Sequence, residues 1–122
     1  MSGDEVITLN VGGTLYTTTV ATLTTGAASG SVLAAMFDPD CLTDWLKDKE
    51  GNFFFDRDPE PFRVILGYLR NTRLPDDIVG CSLQQVQWEA SYYGLDGLLK
   101  IIEERKKICN LTDRLTDGLT LM

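Results

Sequence analysis

Apolar residues occupy every second position from Ile7 to Val11, and polar residues fill the positions between them. Strict alternation of this kind is typical of a half-buried β-strand. Gly12 and Gly13 follow at once and permit the positive φ angles of a two-residue hairpin turn. Residues 14–20 are rich in β-branched threonine, which suits a return strand. The start of the chain is therefore predicted to form a β-hairpin.

A short helix and a charged loop come next in the pattern. Ser31 can cap a helix that runs through Phe37, and Pro39 stops it. Residues 38–50 are dense in charge, yet they contain Trp45. A tryptophan in such a loop either packs into the core or marks a contact surface, and the sequence leaves both open.

An aromatic run, residues 53–55, predicts a third strand that breaks at a charged corner. In this corner Asp56 and Arg57 are expected to form an ion pair, and Asp58 is expected to cap a helix with Pro59 in its first turn. The helix should extend to about Asn71 and bury one apolar stripe. The stripe consists of Phe62, Ile65, Leu66 and Leu69, whereas Arg63, Tyr68 and Arg70 lie outside it.

Two further helices are predicted in the last third of the chain. Ser82 and Gln85 fit a capping box, and Gly94 is suited to end the helix that they begin. The final helix carries apolar residues seven positions apart, which permits a coiled or partner-dependent continuation. Taken together, the elements predict one mixed α/β (α+β) domain with a small three-stranded sheet and clustered helices.

Composition narrows the class of partner. The chain has 122 residues, 43% of them hydrophobic, and a formal net charge of −7. We expect no nucleic-acid binding, because phosphate neutralisation needs clustered lysine and arginine. No apolar run approaches the roughly 20 residues that span a bilayer, so membrane insertion is not expected either. The absence of a signal-peptide pattern favours a cytoplasmic location.

Catalytic and metal chemistry find little support in the residue types. The chain contains no histidine, which excludes serine–histidine and cysteine–histidine relays. Cys41, Cys81 and Cys109 are too widely spaced for a recognisable zinc site. Asp56 and Asp58 could mimic a pair of glycosidase carboxylates, but a helix cap and an ion pair explain them better. We therefore expect neither enzymatic activity nor a cofactor.

Four segments, in this order and spacing, resemble the BTB/POZ domain of the KCTD (potassium channel tetramerisation domain-containing) family. They are VITLNVGGTLYTTTVATLT, LAAMF, GNFFFDRDPEPFRVILGYLR and EASYYGLDGLL. The tetramerisation domain of voltage-gated potassium channels is similar too. The resemblance implies a BTB fold over residues 5–105 and an extension, residues 106–122, in which the last helix can continue.

The same resemblance implies self-association into a ring of four or five subunits, with five slightly favoured, through largely polar contacts. The residues expected to reach a neighbouring subunit are Asn10, Asp56, Arg57, Asp58, Arg63 and Arg70. Charged residues at a rigid strand–helix junction suit such a contact, because a heterologous interface that closes on itself gives a ring. The alternative for Arg57 is an ion pair within its own subunit.

Many relatives of this type are substrate adaptors for cullin-3 ubiquitin ligases, so the resemblance implies cullin-3 as a partner. The expected cullin surface comprises Met36, Phe37, Asp38, Leu42 and Trp45, with Tyr92 and Tyr93 as a second element. Phe37 could equally belong to the core. Two alternatives remain: a KCTD scaffold for a receptor or transcription regulator, and a channel assembly domain. Channel domains that hold their subunits with zinc are disfavoured, because they need histidine.

Overall fold

A small sheet and a cluster of helices form the domain. The computed structural model describes residues 4–37 and 46–121, with side chains as far as residue 108. The sheet contains β1 (Val6–Val11), β2 (Thr14–Thr19) and β3 (Phe53–Phe55) in the order β2-β1-β3. The α-helices are α1 (Val20–Thr24), α2 (Val32–Met36), α3 (Pro59–Asn71), α4 (Leu83–Tyr92) and α5 (Asp96–Leu121), and a 3₁₀ turn covers Gly26–Ala28. The predicted α+β class is confirmed.

The predicted hairpin is present, with one boundary to correct. β1 pairs antiparallel with β2, and its alternate residues from Ile7 to Val11 are buried, as the alternation predicts. Val20, which we expected at the end of β2, is instead the first residue of α1. The Thr19 hydroxyl accepts a hydrogen bond from the Thr22 backbone N–H at 3.3 Å, so a helix cap ends the strand one residue early.

The aromatic strand and the long helix after it follow the sequence prediction. β3 lies parallel to β1, and Asp58 caps α3 by accepting from the Glu60 N–H at 3.2 Å. The predicted apolar stripe of α3 is buried. Tyr68, which we placed outside the stripe, is also buried, because this side of α3 faces the start of α5. A Cβ atom added to Gly97 would lie 3.3 Å from the Tyr68 hydroxyl.

The caps of the other helices also match the sequence. Ser31 caps α2 by accepting from the Ala34 N–H at 2.9 Å, and Ser82 and Gln85 form the expected capping box of α4. Gly94 adopts a φ of 69° just after α4. α5 then runs as one helix to Leu121, past the end of the domain predicted from the sequence. The core between sheet and helices contains Leu9, Val11, Leu23, Leu33, Phe37, Phe62, Ile65, Val86, Tyr93, Leu95, Leu98 and Ile102 as fully buried side chains.

Across the described residues, no helix combines the length and the apolar character that crossing a membrane requires.

Candidate interaction surfaces

The charged corner between β3 and α3 is held in place by the hairpin turn. The Gly12 N–H donates to the Phe55 carbonyl oxygen at 2.9 Å. Gly12 has a φ of 57°, and a Cβ atom at this position would overlap with the Arg57 carbonyl oxygen. Glycine is therefore required here for two reasons, the left-handed backbone and the close approach of another backbone segment. The corner, defined as Asp56, Arg57 and Asp58, is consequently fixed relative to the sheet.

The side chain of Arg57 contacts α4. Its Nε lies 2.8 Å from Glu89 Oε2, and its guanidinium carbon lies 4.2 Å from the centre of the Tyr92 ring. The expected pair between Asp56 and Arg57 is therefore wrong, because the guanidinium is directed to α4. Of the two alternatives for Arg57, the structure contains the ion pair within its own chain. One third of the side chain (33%) is nevertheless exposed, whereas that of Glu89 is 8% exposed.

Asn10 also has partners within the chain. Its amide nitrogen donates to Asp48 Oδ2 at 2.9 Å, and its amide oxygen accepts from the Gly13 N–H at 2.8 Å. The Asp48 carboxylate accepts further hydrogen bonds from the backbone of Asn52 and Glu50. The hydrogen bond from Asn10 is the main reason why the pKa of Asp48 lies below its ordinary value. Asp48 was not predicted from the sequence, because its role depends on a contact between β1 and a turn that is distant in the sequence.

The two cations on α3 lie farther from the corner. Arg63 donates to the Val79 carbonyl oxygen, and its Nε is 3.9 Å from Glu60 Oε2. Arg70 donates to the Thr17 carbonyl oxygen at 2.7 Å, which joins α3 to β2. Both side chains remain exposed. The six residues expected at a subunit contact thus form a compact group at the corner and a second set along α3.

Two residues of the expected partner surface belong to the core. Phe37 and Tyr93 are each 1% exposed. Phe37 packs edge-to-face against Phe53 with 5.0 Å between ring centres, and Tyr93 packs against Phe62 at 5.4 Å. We correct their assignment, because a side chain sealed by aromatic neighbours cannot contact a partner without rearrangement. Burial raises the pKa of Tyr93, and the Glu89 carboxylate raises it further.

The exposed part of this region lies where α2 meets the end of α4. The Leu33 N–H donates to the Tyr93 carbonyl oxygen at 3.1 Å, which places the start of α2 at the end of α4. Met36 is partly buried, and Tyr92 is 44% exposed. Trp88, one turn before Tyr92 on α4, is 60% exposed. Trp88 was not among the residues predicted from the sequence, although it lies opposite the buried positions of α4. Asp38, Leu42 and Trp45 lie outside the described residues.

Metal-binding groups do not cluster within residues 4–37 and 46–108. No set of three or more cysteine, aspartate or glutamate side chains in these ranges could hold a metal ion. Cys81 is a free, partly buried thiol, and burial raises its pKa. A raised pKa lowers the fraction of nucleophilic thiolate at neutral pH.

Comparisons with known proteins show which family this chain resembles. The BTB/POZ domain model of the BTB_2 type matches residues 7–103. The mouse BTB/POZ domain-containing protein KCTD21 is 42% identical over 104 residues, which are 84% of this chain and 38% of the relative. Human KCTD14 is 40% identical over 84% of this chain and 37% of its own length, and mouse KCTD9 is 41% identical over 84% and 30%.

The chain therefore spans less than two-fifths of the length of these relatives. The family model, by contrast, covers most of the chain, from the first core residue of β1 into the first third of α5. The chain belongs to the BTB/POZ domain family, in its KCTD type, and is a protein–protein interaction module.

Proposed function

We propose that this domain assembles with copies of itself into a closed ring and acts as the BTB module of a substrate adaptor for a cullin-3 ubiquitin ligase. A ring of five subunits is slightly favoured over a ring of four, and the proposed location is the cytoplasm. The proposal rests on the family and on one observation, the rigid and partly exposed charged corner before α3.

The corner suits a subunit contact because its charges are exposed in a fixed geometry. Asp56 is exposed and makes no hydrogen bond or ion pair with another described residue. Arg57 keeps one third of its side chain exposed while Glu89 and Tyr92 hold its position. A fixed charge can set the register of a polar contact without the loss of side-chain entropy that a flexible one would suffer. The corner of each subunit would contact a different surface of the next subunit. Such a heterologous contact gives a ring when the rotation between subunits closes on itself.

Asn10 and Asp58 flank the corner, and Arg63 and Arg70 extend the proposed contact along α3. Asn10, Arg63 and Arg70 have partners within the chain, and Asp58 caps α3. We propose that these residues keep their contacts within the chain and reach the neighbouring subunit with the atoms of each side chain that are still exposed.

For cullin-3 we propose the surface where α2 meets the end of α4. Met36 and Tyr92 remain from the sequence prediction, and we add the exposed Trp88 on the same helix as Tyr92. Tryptophan and tyrosine are the residue types that most often dominate binding energy at protein interfaces. Asp38, Leu42 and Trp45, which follow α2, belong to the same proposal on the grounds of sequence alone.

Light-scattering mass on a sizing column tests both parts of the proposal. The domain alone should have four or five times the mass of the 13.5 kDa chain. Addition of a cullin-3 N-terminal fragment should shift it to a stoichiometric complex. If the ring forms but does not bind the cullin fragment, the proposed self-assembly stands. The proposed function would then be that of a scaffold for another partner and not that of a cullin-3 adaptor. A monomer under both conditions would overturn the proposal.

A further inference from the structure

A groove of about 550 Å³ lies along α3 and the loop that follows it. Residues of the helix form its floor, and the loop forms its wall. The lining residues are Arg63, Val64, Gly67, Asn71, Arg73 and Pro75. The volume lies within the range of sites that bind small ligands or a few side chains of a peptide.

Gly67 opens the floor of this groove. Glycine in a helix interior is unfavourable relative to alanine, so its presence there needs a reason. A Cβ atom at Gly67 would meet no atom within 4 Å, so packing within the described chain does not supply that reason. The missing side chain instead leaves room along the helix for atoms of another molecule.

The loop that forms the wall is fixed to the domain. Thr72 ends α3 with a φ of 55°, a left-handed conformation that a β-branched residue rarely adopts. Arg73, the next residue, lines the groove. Arg105 of α5 then donates to the carbonyl oxygens of Leu74, at 3.1 Å, and Pro75. The wall is therefore preorganised, which lowers the entropic cost of binding a ligand.

Two arginines, Arg63 and Arg73, line the groove, although the chain carries a net charge of −7. Arg63 donates a hydrogen bond to the Val79 carbonyl oxygen and forms an ion pair with Glu60, with 3.9 Å between Nε and Oε2. Arg73 is exposed and makes no hydrogen bond or ion pair with another described residue. A guanidinium can bind a carboxylate through two parallel hydrogen bonds, and an unpaired one at a groove has its donors available for such a ligand.

We propose that this groove binds a carboxylate-bearing segment of a partner protein, with Arg73 as the main anchor and the backbone at Gly67 as the contact surface. A peptide segment fits the local groove better than a second copy of the domain does, because a subunit contact requires a broad surface of roughly 800 Å² per partner. Nucleic acid fits less well, since two arginines on an acidic chain provide little phosphate neutralisation. Arg63 also belongs to the proposed subunit contact, whereas Arg73 and Gly67 do not, so the inference rests on these two residues.

A short fluorescein-labelled oligoglutamate peptide serves as the probe, and its anisotropy is measured with the intact domain at low salt. The matching oligoglutamine peptide controls for contacts that do not need charge. We expect the glutamate peptide to bind and Arg73→Glu to weaken it by about tenfold or more. Lys100→Glu is the matched control, because it reverses the same charge at an exposed position of α5 outside the groove, and it should weaken binding much less.

Gly67→Leu tests the groove without a change of charge. Leucine favours the helix and meets open space, so this variant should fold, and it should lose the peptide because its side chain fills the floor. Equal losses with Arg73→Glu and Lys100→Glu, or full binding by Gly67→Leu, would overturn the proposal. So would a change in oligomer mass caused by Arg73→Glu, since it would identify the groove as a contact between copies.

Discussion

The guanidinium of Arg57 lies 2.8 Å from the carboxylate of Glu89, and this ion pair joins the corner before α3 to α4. The two residues are 32 positions apart in the sequence. The ring of Tyr92, one turn after Glu89, also contacts the guanidinium, with 4.2 Å between the ring centre and the guanidinium carbon. Residues of α4 thus fix the position of the Arg57 side chain in the corner that we propose as a subunit contact. A substitution of Arg57 is therefore expected to affect both the stability of the chain and the proposed contact.

Substitution of Arg57 should therefore affect the fold as well as the assembly. We expect Arg57→Glu to lower the free energy of unfolding by about 2 kcal/mol, because it leaves the buried Glu89 carboxylate beside a like charge. The loss is no larger because the side chain at position 57 is partly screened by solvent. Glu89→Gln should recover part of this loss in the double variant. Urea unfolding of the four combinations measures the coupling. Additive effects of the two substitutions would contradict an ion pair between them.

Asp56 gives a cleaner test of the ring. Asp56→Arg reverses an exposed charge that has no partner among the described residues, so the free energy of unfolding should change by less than about 0.5 kcal/mol. The oligomer should dissociate at a higher protein concentration than the wild type does, because like charges would meet across the contact. Glu103→Arg on α5 is the control for charge alone. If the oligomer mass of Asp56→Arg depends on protein concentration in the same way as that of the wild type, Asp56 is not part of the contact.

Phe37 and Trp88 should separate folding from partner binding. Phe37→Ala is expected to destabilise the domain by about 3–5 kcal/mol, because it removes a fully buried ring. Trp88→Ala removes an exposed ring and should leave stability nearly unchanged while it weakens binding of the cullin-3 fragment by about tenfold. Thermal unfolding and calorimetric titration measure the two effects. If Trp88→Ala binds cullin-3 as the wild type does, Trp88 has no part in the partner surface.

Most of the fold was predicted from the sequence, because strand alternation and helix capping depend on residues that are close together in the chain. Alternation defined β1, and the capping chemistry of Ser31, Asp58 and Ser82 defined the starts of three helices. The interaction surfaces were harder to predict. The partner of Arg57 depends on how α3 and α4 pack, and no spacing rule selects Glu89 over the adjacent Asp56. Whether Phe37 and Tyr93 are buried or exposed was still harder to predict, since an aromatic residue at a helix end can pack in a core or lie at a contact surface.

The hydrogen-bonded carboxylate of Asp48 should make stability depend on pH. Its pKa is lower in the folded chain than the ordinary value of 3.8, so its contribution is present above that value and is lost as the pH falls through the folded pKa. Asp48→Asn should therefore lower the melting temperature at about pH 7 and have less effect at about pH 3. Thermal unfolding of both proteins at the two pH values measures this. A deficit that grows towards acid pH would show that the carboxylate does not stabilise the fold.

Gly12 and Gly26 form a matched pair that tests how closely the hairpin turn approaches the corner. Their φ angles are 57° and 58°, so alanine causes similar backbone strain at both positions, about 1 kcal/mol. A Cβ atom at Gly26 would meet nothing within 4 Å, whereas one at Gly12 would overlap with the Arg57 carbonyl oxygen. Gly12→Ala should therefore cost about 2 kcal/mol more than Gly26→Ala in urea unfolding. It should also weaken the ring, because relief of the overlap displaces the corner. Equal destabilisation by the two substitutions would mean that the hairpin turn does not support the corner.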